Sequence, residues 1–152
     1  MQVRRIVTGN DASGRSHIVS DEWVSDHEDE TDGLVWRESG AAECWLSSTA
    51  PYLEPPQGSS RCSRVVLPPW ADMAANVAAG LFPGLDAQGF HRTETIDHIL
   101  MLSGEVDLVL DDARTTVRAG DVVIQRNTNH AWQNMTASPA IFWGVMVARS
   151  SG

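Results

Sequence analysis

The stretch whose reading decides the fold is His91-Arg-Thr93-Glu94-Thr-Ile-Asp97-His98-Ile-Leu-Met-Leu-Ser-Gly104, continued by Glu105-Val-Asp-Leu-Val-Leu110. In the second part Val106, Leu108 and Leu110 alternate with Glu105 and Asp107, which is the period of a strand with one buried face. Ser103-Gly104 is a turn signal between two such runs, so the pair predicts a hairpin. Working outward, Asp111-Asp112-Ala113 turns the chain into a strand at 115–117, Ala119-Gly120-Asp121 turns it into another at 122–125, and 141–147 supplies a further one. Toward the N-terminus, short β-rich runs are expected at 3–8, 16–19, 33–37 and 61–67. Short strands at this spacing predict an all-β, meander-like antiparallel barrel or sandwich.

Three stretches break the rhythm. Residues 47–60, rich in Ser and Pro, read as a surface loop or an arm on a neighbouring subunit. The acidic run 26–32, which contains His27, reads as a solvated loop. Within 70–89, residues 72–80 are helix formers that end on Gly80, a residue suited to a helix C-terminus. The short helix expected there stands just before His91, and we expect this segment to be a lid or pocket wall.

With 152 residues the chain fits a single domain: N-terminal strands and an arm over 1–69, the helical segment 70–89, and a core over 90–148. A formal net charge of −9 disfavours nucleic acid and anionic membrane surfaces as partners. All eleven basic residues apart from histidine are arginine, which excludes lysine Schiff-base chemistry and the phosphate-binding P-loop lysine. Cys44 and Cys62 lack C-x-x-C spacing and are expected to be thiols rather than a disulfide. No apolar run is long enough to span a bilayer and no signal-peptide pattern follows Arg4-Arg5, so a cytoplasmic location is expected.

Chemistry concentrates in two segments. In extended chain, residues 91, 93, 95 and 97 point to one face, so His91 and Asp97 should share it. The second segment, Gly120-Asp-Val-Val-Ile-Gln125-Arg-Asn127-Thr-Asn129-His130-Ala-Trp132-Gln-Asn134, delivers another histidine, with Trp132 and Asn134 on the same side if it is extended. The two segments resemble the two cupin motifs, G-x5-H-x-H-x3,4-E-x6-G and G-x5-P-x-G-x2-H-x3-N. The resemblance covers about a third of the chain. It places His91 at the first histidine, Asp97 at the glutamate, and His130 and Asn134 at the histidine and asparagine of the second motif. Arg-Ile-Val-Thr-Gly near the start and His130-Ala-Trp132 are similar to a bacterial and fungal group of small single-domain cupins, mostly of undefined activity. The resemblance implies a jelly-roll barrel with one or two short helices, often dimeric, holding a metal in its mouth.

The departures are as informative. Thr93 stands where a second histidine is expected, Gln125 at the motif proline, and Asn127 at its inner glycine, in a spacing one residue short. Two imidazoles and a carboxylate, His91, His130 and Asp97, suit a divalent ion such as Zn, Fe, Mn or Ni and leave positions open for substrate. The alternative is a hydrogen-bonded polar cluster that has lost its metal. Glu94 and His98 are secondary candidates if the strand is bulged, with Asp97, Glu94 or His98 as the proton acceptor. Gln125, Asn127, Asn129 and Thr93 are candidate acceptors for the histidine ring N–H. Trp132 either stacks on a flat substrate or packs in the core. Thr93, Gln125, Trp132 and Asn134 are the expected substrate contacts.

The expected function is that of a metal-dependent enzyme acting on a small, aromatic or polyketide-like molecule by dehydration, decarboxylation or isomerisation, working as a homodimer. A non-haem Fe(II) dioxygenase and a non-catalytic small-molecule-binding barrel are the alternatives.

Overall fold

The computed structural model describes residues 2–25, 54–55, 57–58, 60–82 and 84–149. The expectations for 26–37, for Cys44 and for most of 47–60 lie outside these residues, as does the side chain of Cys62. Nine strands and one helix are described: β1 Gln2–Asn10, β2 Ser16–Ser25, β3 Ser60–Leu67, α1 Trp70–Ala78, β4 Thr95–Ser103, β5 Glu105–Leu110, β6 Arg114–Arg118, β7 Val122–Arg126, β8 His130–Gln133 and β9 Ala140–Ala148. They form two sheets, one of six strands in the order β2-β1-β7-β4-β9-β3 and one of three in the order β6-β5-β8.

The hairpin expected across Ser103-Gly104 does not form: β4 pairs with β7 and β9 in the large sheet, β5 pairs with β6 and β8 in the small one, and the turn carries the chain from one sheet to the other. Gly104 at this turn has φ of +76°, and a Cβ there would come within 3.0 Å of Ala140, so glycine is required on both backbone and steric grounds. The inward residues of β5, Val106, Leu108 and Leu110, are all buried, and they meet Ile6, Val117 and Val123 in one apolar core between the sheets. One feature departs from the antiparallel expectation: β1 runs parallel to β7, pairing Arg5, Ile6 and Val7 with Val122, Val123 and Ile124. The partners are over a hundred residues apart, and parallel pairing needs a long crossover rather than a local turn, so no turn signal in the sequence reports it.

Along the inward faces the chemistry changes from one end to the other. On β4, Met101 and Ile99 are apolar, and Asp97 and Thr95, equally buried, are polar. On β7, apolar Val123 is followed two residues later by Gln125. Helix α1 crosses this polar end. It starts after Pro69 with Asp72 in its first turn, where a negative charge complements the helix dipole, and ends before Gly80 at φ +72°. Its first amide, on Trp70, donates to the Asn134 carbonyl at 2.6 Å. On the outer face of the large sheet, Val66, Leu100, Leu102 and Trp143 are exposed. No helix among the described residues is long and apolar enough to cross a membrane.

Candidate functional site

The polar end of the barrel is a cavity of about 250 Å³. The six-stranded sheet contributes a cross-strand row to it. Gln125 on β7 lies opposite Asp97 on β4, Asp97 opposite Met146 on β9, and Met146 opposite Arg61 on β3, and all four line the cavity. His130 and Trp132 on β8 and the adjacent His91 form the other wall, and Trp70, Met73 and Val77 of α1 with Leu85 and Gly89 cover it. The segment 70–89 thus forms a wall of the same cavity as His91 and His130.

His91 does not belong to β4. It makes an isolated bridge with His130, each amide donating to the other's carbonyl at 2.9 Å, and residues 92–94 are irregular. The alternation from 91 to 97 is therefore interrupted, and His91 and Asp97 reach the cavity from opposite walls. The two imidazole rings stand 4.2 Å apart at a 57° tilt. Gly89, at φ +86°, lets the Trp70 ring close over this end, since a Cβ there would meet the ring at 3.1 Å.

His130 is 2% exposed, and its Nδ1 lies 2.9 Å from the Thr128 carbonyl oxygen. A carbonyl accepts only, so Nδ1 carries the proton and Nε2 keeps its lone pair. Burial, reinforced by neighbouring His91, pushes the His130 pKa down to about 3. His91 is also pushed down by burial, against the raising effects of the Gly89 backbone and the Asp86 carboxylate. Both rings are neutral at physiological pH. The acceptor proves to be a backbone carbonyl, not Gln125, Asn127, Asn129 or Thr93. Asn127, at φ +54°, fills the left-handed position usually given to glycine, which asparagine tolerates, and that turn presents the carbonyl. Its own side chain points away, accepting from Arg92 Nε at 2.5 Å and donating to Glu94 at 3.1 Å. Asn129 donates to Asp111 at 2.8 Å.

Asp97 is 5% exposed, and burial raises its pKa to about 6, against the lowering effect of a hydrogen bond from Thr95. Thr95 Oγ1 donates to Asp97 Oδ1 at 2.6 Å and lies 2.7 Å from Thr93 Oγ1. Each hydroxyl has one proton, so with Asp97 ionised Thr93 must donate to Thr95. Thr93, expected to touch substrate, is instead the buried outer end of this relay and does not line the cavity.

Three further expectations are corrected. His98 alternates with Asp97 on a regular strand and so faces the opposite side of the sheet. Glu94 is exposed and tied to Asn127, outside the cavity. Asn134 is 1% exposed but structural: its amide donates to the carbonyls of Leu67 and Ser138 and its oxygen accepts from Thr136, clamping the loop between β8 and β9 against the end of β3. Gln125 and Trp132 do line the cavity.

Gln125 is 1% exposed, and among the described residues neither its Nε2 nor its Oε1 has a hydrogen-bond partner. The donors for a metal do not converge in the same way. His91, His130 and Asp97 line one cavity, but among the described residues no group of three His, Cys, Asp or Glu side chains could hold a metal ion. The set of His91, His130 and Asp97 is not assembled, since Asp97 stands on the far wall held by Thr95, and Thr93 takes the place of the motif's fourth ligand.

Residues 81–147 match the Cupin_2 family, described as a cupin domain. The chain is 48% identical over 58 residues to phomopsin biosynthesis cluster protein C' of Diaporthe leptostromiformis, which is 38% of this chain and 29% of that protein. It is 37% identical over 65 residues to the cupin-domain-containing oxidoreductase srdD of Neurospora crassa, 42% of this chain and 33% of that protein. The chain thus spans about a third of the length of these relatives. Among solved structures it is similar to a Cupin 2 conserved barrel domain protein from Salinispora arenicola, with TM-score 0.41 and 20% identity over 64% of this chain and 68% of that one. It is also similar to an RmlC-like cupin family protein from Methanocaldococcus jannaschii, with TM-score 0.43 and 21% identity over 59% and 70% of the two chains. Residues 81–147 thus carry a Cupin_2-type domain, whose two motif segments meet on both walls of the cavity, Asp97 beside Gln125 and His91 beside His130.

Proposed function

We propose that this chain is a cupin enzyme that moves a proton on a small, ring-bearing organic molecule, in a dehydration, decarboxylation or isomerisation. The observation that carries the reading is Asp97, a carboxyl group with a pKa of about 6 inside a mainly apolar cavity. An acid–base group works best when its pKa lies near the working pH, and burial has moved this one toward it. Trp132 and Phe142, with ring centroids 5.4 Å apart, give a flat substrate an aromatic surface. Asp97 takes a proton from carbon next to a carbonyl group and returns it to the product, and its Thr95–Thr93 relay steadies the carboxylate whenever it is ionised. His130 Nε2, fixed as an acceptor by its Nδ1 bond, receives a hydrogen bond from a substrate hydroxyl.

The test is solvent exchange. Ring-bearing ketones and β-hydroxy carbonyl compounds are incubated in D2O with wild type and with Asp97→Asn, and the metal content of the same protein is measured. Wild type should incorporate deuterium next to the carbonyl with a rate that rises through pH 6, and Asp97→Asn should not. Binding without exchange in wild type would replace this reading with that of a non-catalytic small-molecule carrier.

The 37% identity to srdD, named an oxidoreductase, favours a second reading: oxidation of a similar substrate, including the iron-dependent dioxygenase chemistry considered from the motif. Substrate-dependent oxygen consumption that scales with bound ferrous iron would select it.

A further inference from the structure

Gln125 is the feature that this proton transfer does not use. It is a primary amide, 1% exposed, whose two N–H donors and carbonyl acceptor have no partner among the described residues, on the cavity wall directly opposite Asp97 in the β4–β7 register. Side chains directly opposite on antiparallel strands have Cβ atoms roughly 4.5–5.5 Å apart, so one small functional group can touch both. Inward positions farther along the same strands, Ile99 and Val123, are apolar. The barrel therefore does not need an amide at Gln125 for packing.

We propose that Gln125 is the specificity-determining residue of this site and that it selects neutral ring compounds carrying a carboxamide or lactam edge, held so that the adjoining carbon meets Asp97. This rests on the small-molecule reading above. A primary amide is complemented by a group with an acceptor and a donor side by side, and the –CO–NH– edge of a lactam pairs with both at once. Charge argues for neutrality. A carboxylate at this point would stand beside the Asp97 carboxylate in a desolvated pocket, and the nearest imidazoles are neutral. Arg61 lies at the other end of the row, three strands from Gln125, so it does not supply a counter-charge there.

The experiment measures binding of 2-quinolone, N-methyl-2-quinolone and naphthalene to the full chain by tryptophan fluorescence and ligand-observed NMR. Wild type should prefer 2-quinolone to each of the other two by about tenfold or more, since each leaves a buried partner unpaired. Gln125→Leu should bind naphthalene at least as well as wild type and lose that preference, and Gln125→Met provides a second apolar replacement of similar size. Naphthalene binding with no preference for 2-quinolone in wild type, or a preference retained in both variants, would overturn the role of Gln125 and leave the proton-transfer reading standing. Failure of all three compounds to bind wild type would overturn the small-molecule reading itself, and this inference with it.

Discussion

Asp97→Asn should make the protein more stable, and only at neutral and alkaline pH. The side chain keeps its shape, and an amide oxygen can still accept the hydroxyl of Thr95 that lies 2.6 Å from Asp97 Oδ1. What changes is the charge. In the folded chain burial raises the carboxyl from 3.8 to about 6, so its ionised form is less favourable folded than unfolded. A raised carboxyl favours folding below pH 3.8, and that advantage is lost as pH rises to 6 and beyond. A shift of about two units, at about 1.36 kcal/mol each, makes the ionised group cost about 3 kcal/mol above pH 7. For a domain of this size that corresponds to roughly 6–12 °C in Tm. Urea unfolding of wild type and Asp97→Asn at intervals from pH 4 to 8.5 measures it. The difference should be near zero at pH 4, grow through pH 4–6 and level off above pH 7. An equal difference at all pH values, or a variant less stable than wild type at pH 8, would refute the reasoning.

His130→Gln should act on the opposite limb: its folded pKa is depressed from 6.5 to about 3, so its contribution is present above pH 6.5 and lost on acidification. Wild type should lose about 3 kcal/mol between pH 6.5 and 4 from this source, and the variant's acid limb in urea titrations should be flatter by that amount. Gln125→Leu removes an amide whose polar atoms have no partners among the described residues, and should raise stability by about 1–3 kcal/mol independently of pH, read as a shift in the urea midpoint. Asn134→Ala deletes four hydrogen bonds at a buried loop clamp and should cost about 2–4 kcal/mol in the same assay, with naphthalene affinity unchanged in the folded fraction.

The strands with one apolar face were legible because their alternation is a direct imprint of a two-sided environment. Val106, Leu108 and Leu110 marked the inward face of β5 before any pairing was known, but not its partners, since a tight turn looks the same whether it joins paired strands or passes between two sheets. The same rule, pushed past the strand's end, set His91 on the face of β4, whereas His91 bridges to His130 and residues 92–94 lie outside any strand. His98 was misread for the converse reason, since a bulge was allowed for where β4 is regular through residues 95–101. Thr93 and Asn134 sat at motif positions, but a motif records spacing and not whether a hydroxyl or amide is already engaged by its own backbone and neighbours. The Thr128 carbonyl that orients His130 left no side-chain signal at all. The only trace was asparagine at 127, a residue that tolerates the left-handed turn.

The costs at Asp97 and Gln125 bear on function because of where they fall. Both sit on strands whose neighbouring inward positions, Ile99 and Val123, are apolar, so the barrel can be filled there without polar groups. They are direct cross-strand partners, so two adjacent destabilising choices share one spot on the wall. A fold selected for stability alone would have removed either with a single substitution to asparagine or leucine. The same pair, an acid–base group tuned by burial beside an unpaired amide, is what a site needs when its hydrogen bonds are completed by a ligand instead of by the protein. Asn134 shows the contrast within the same chain: it is equally buried and equally polar, but its donors and acceptor are all used internally, and it holds a loop. On the proposed reading, it is the unsatisfied amide of Gln125, and not burial or motif position, that sets it apart from Asn134 as a group left for a ligand.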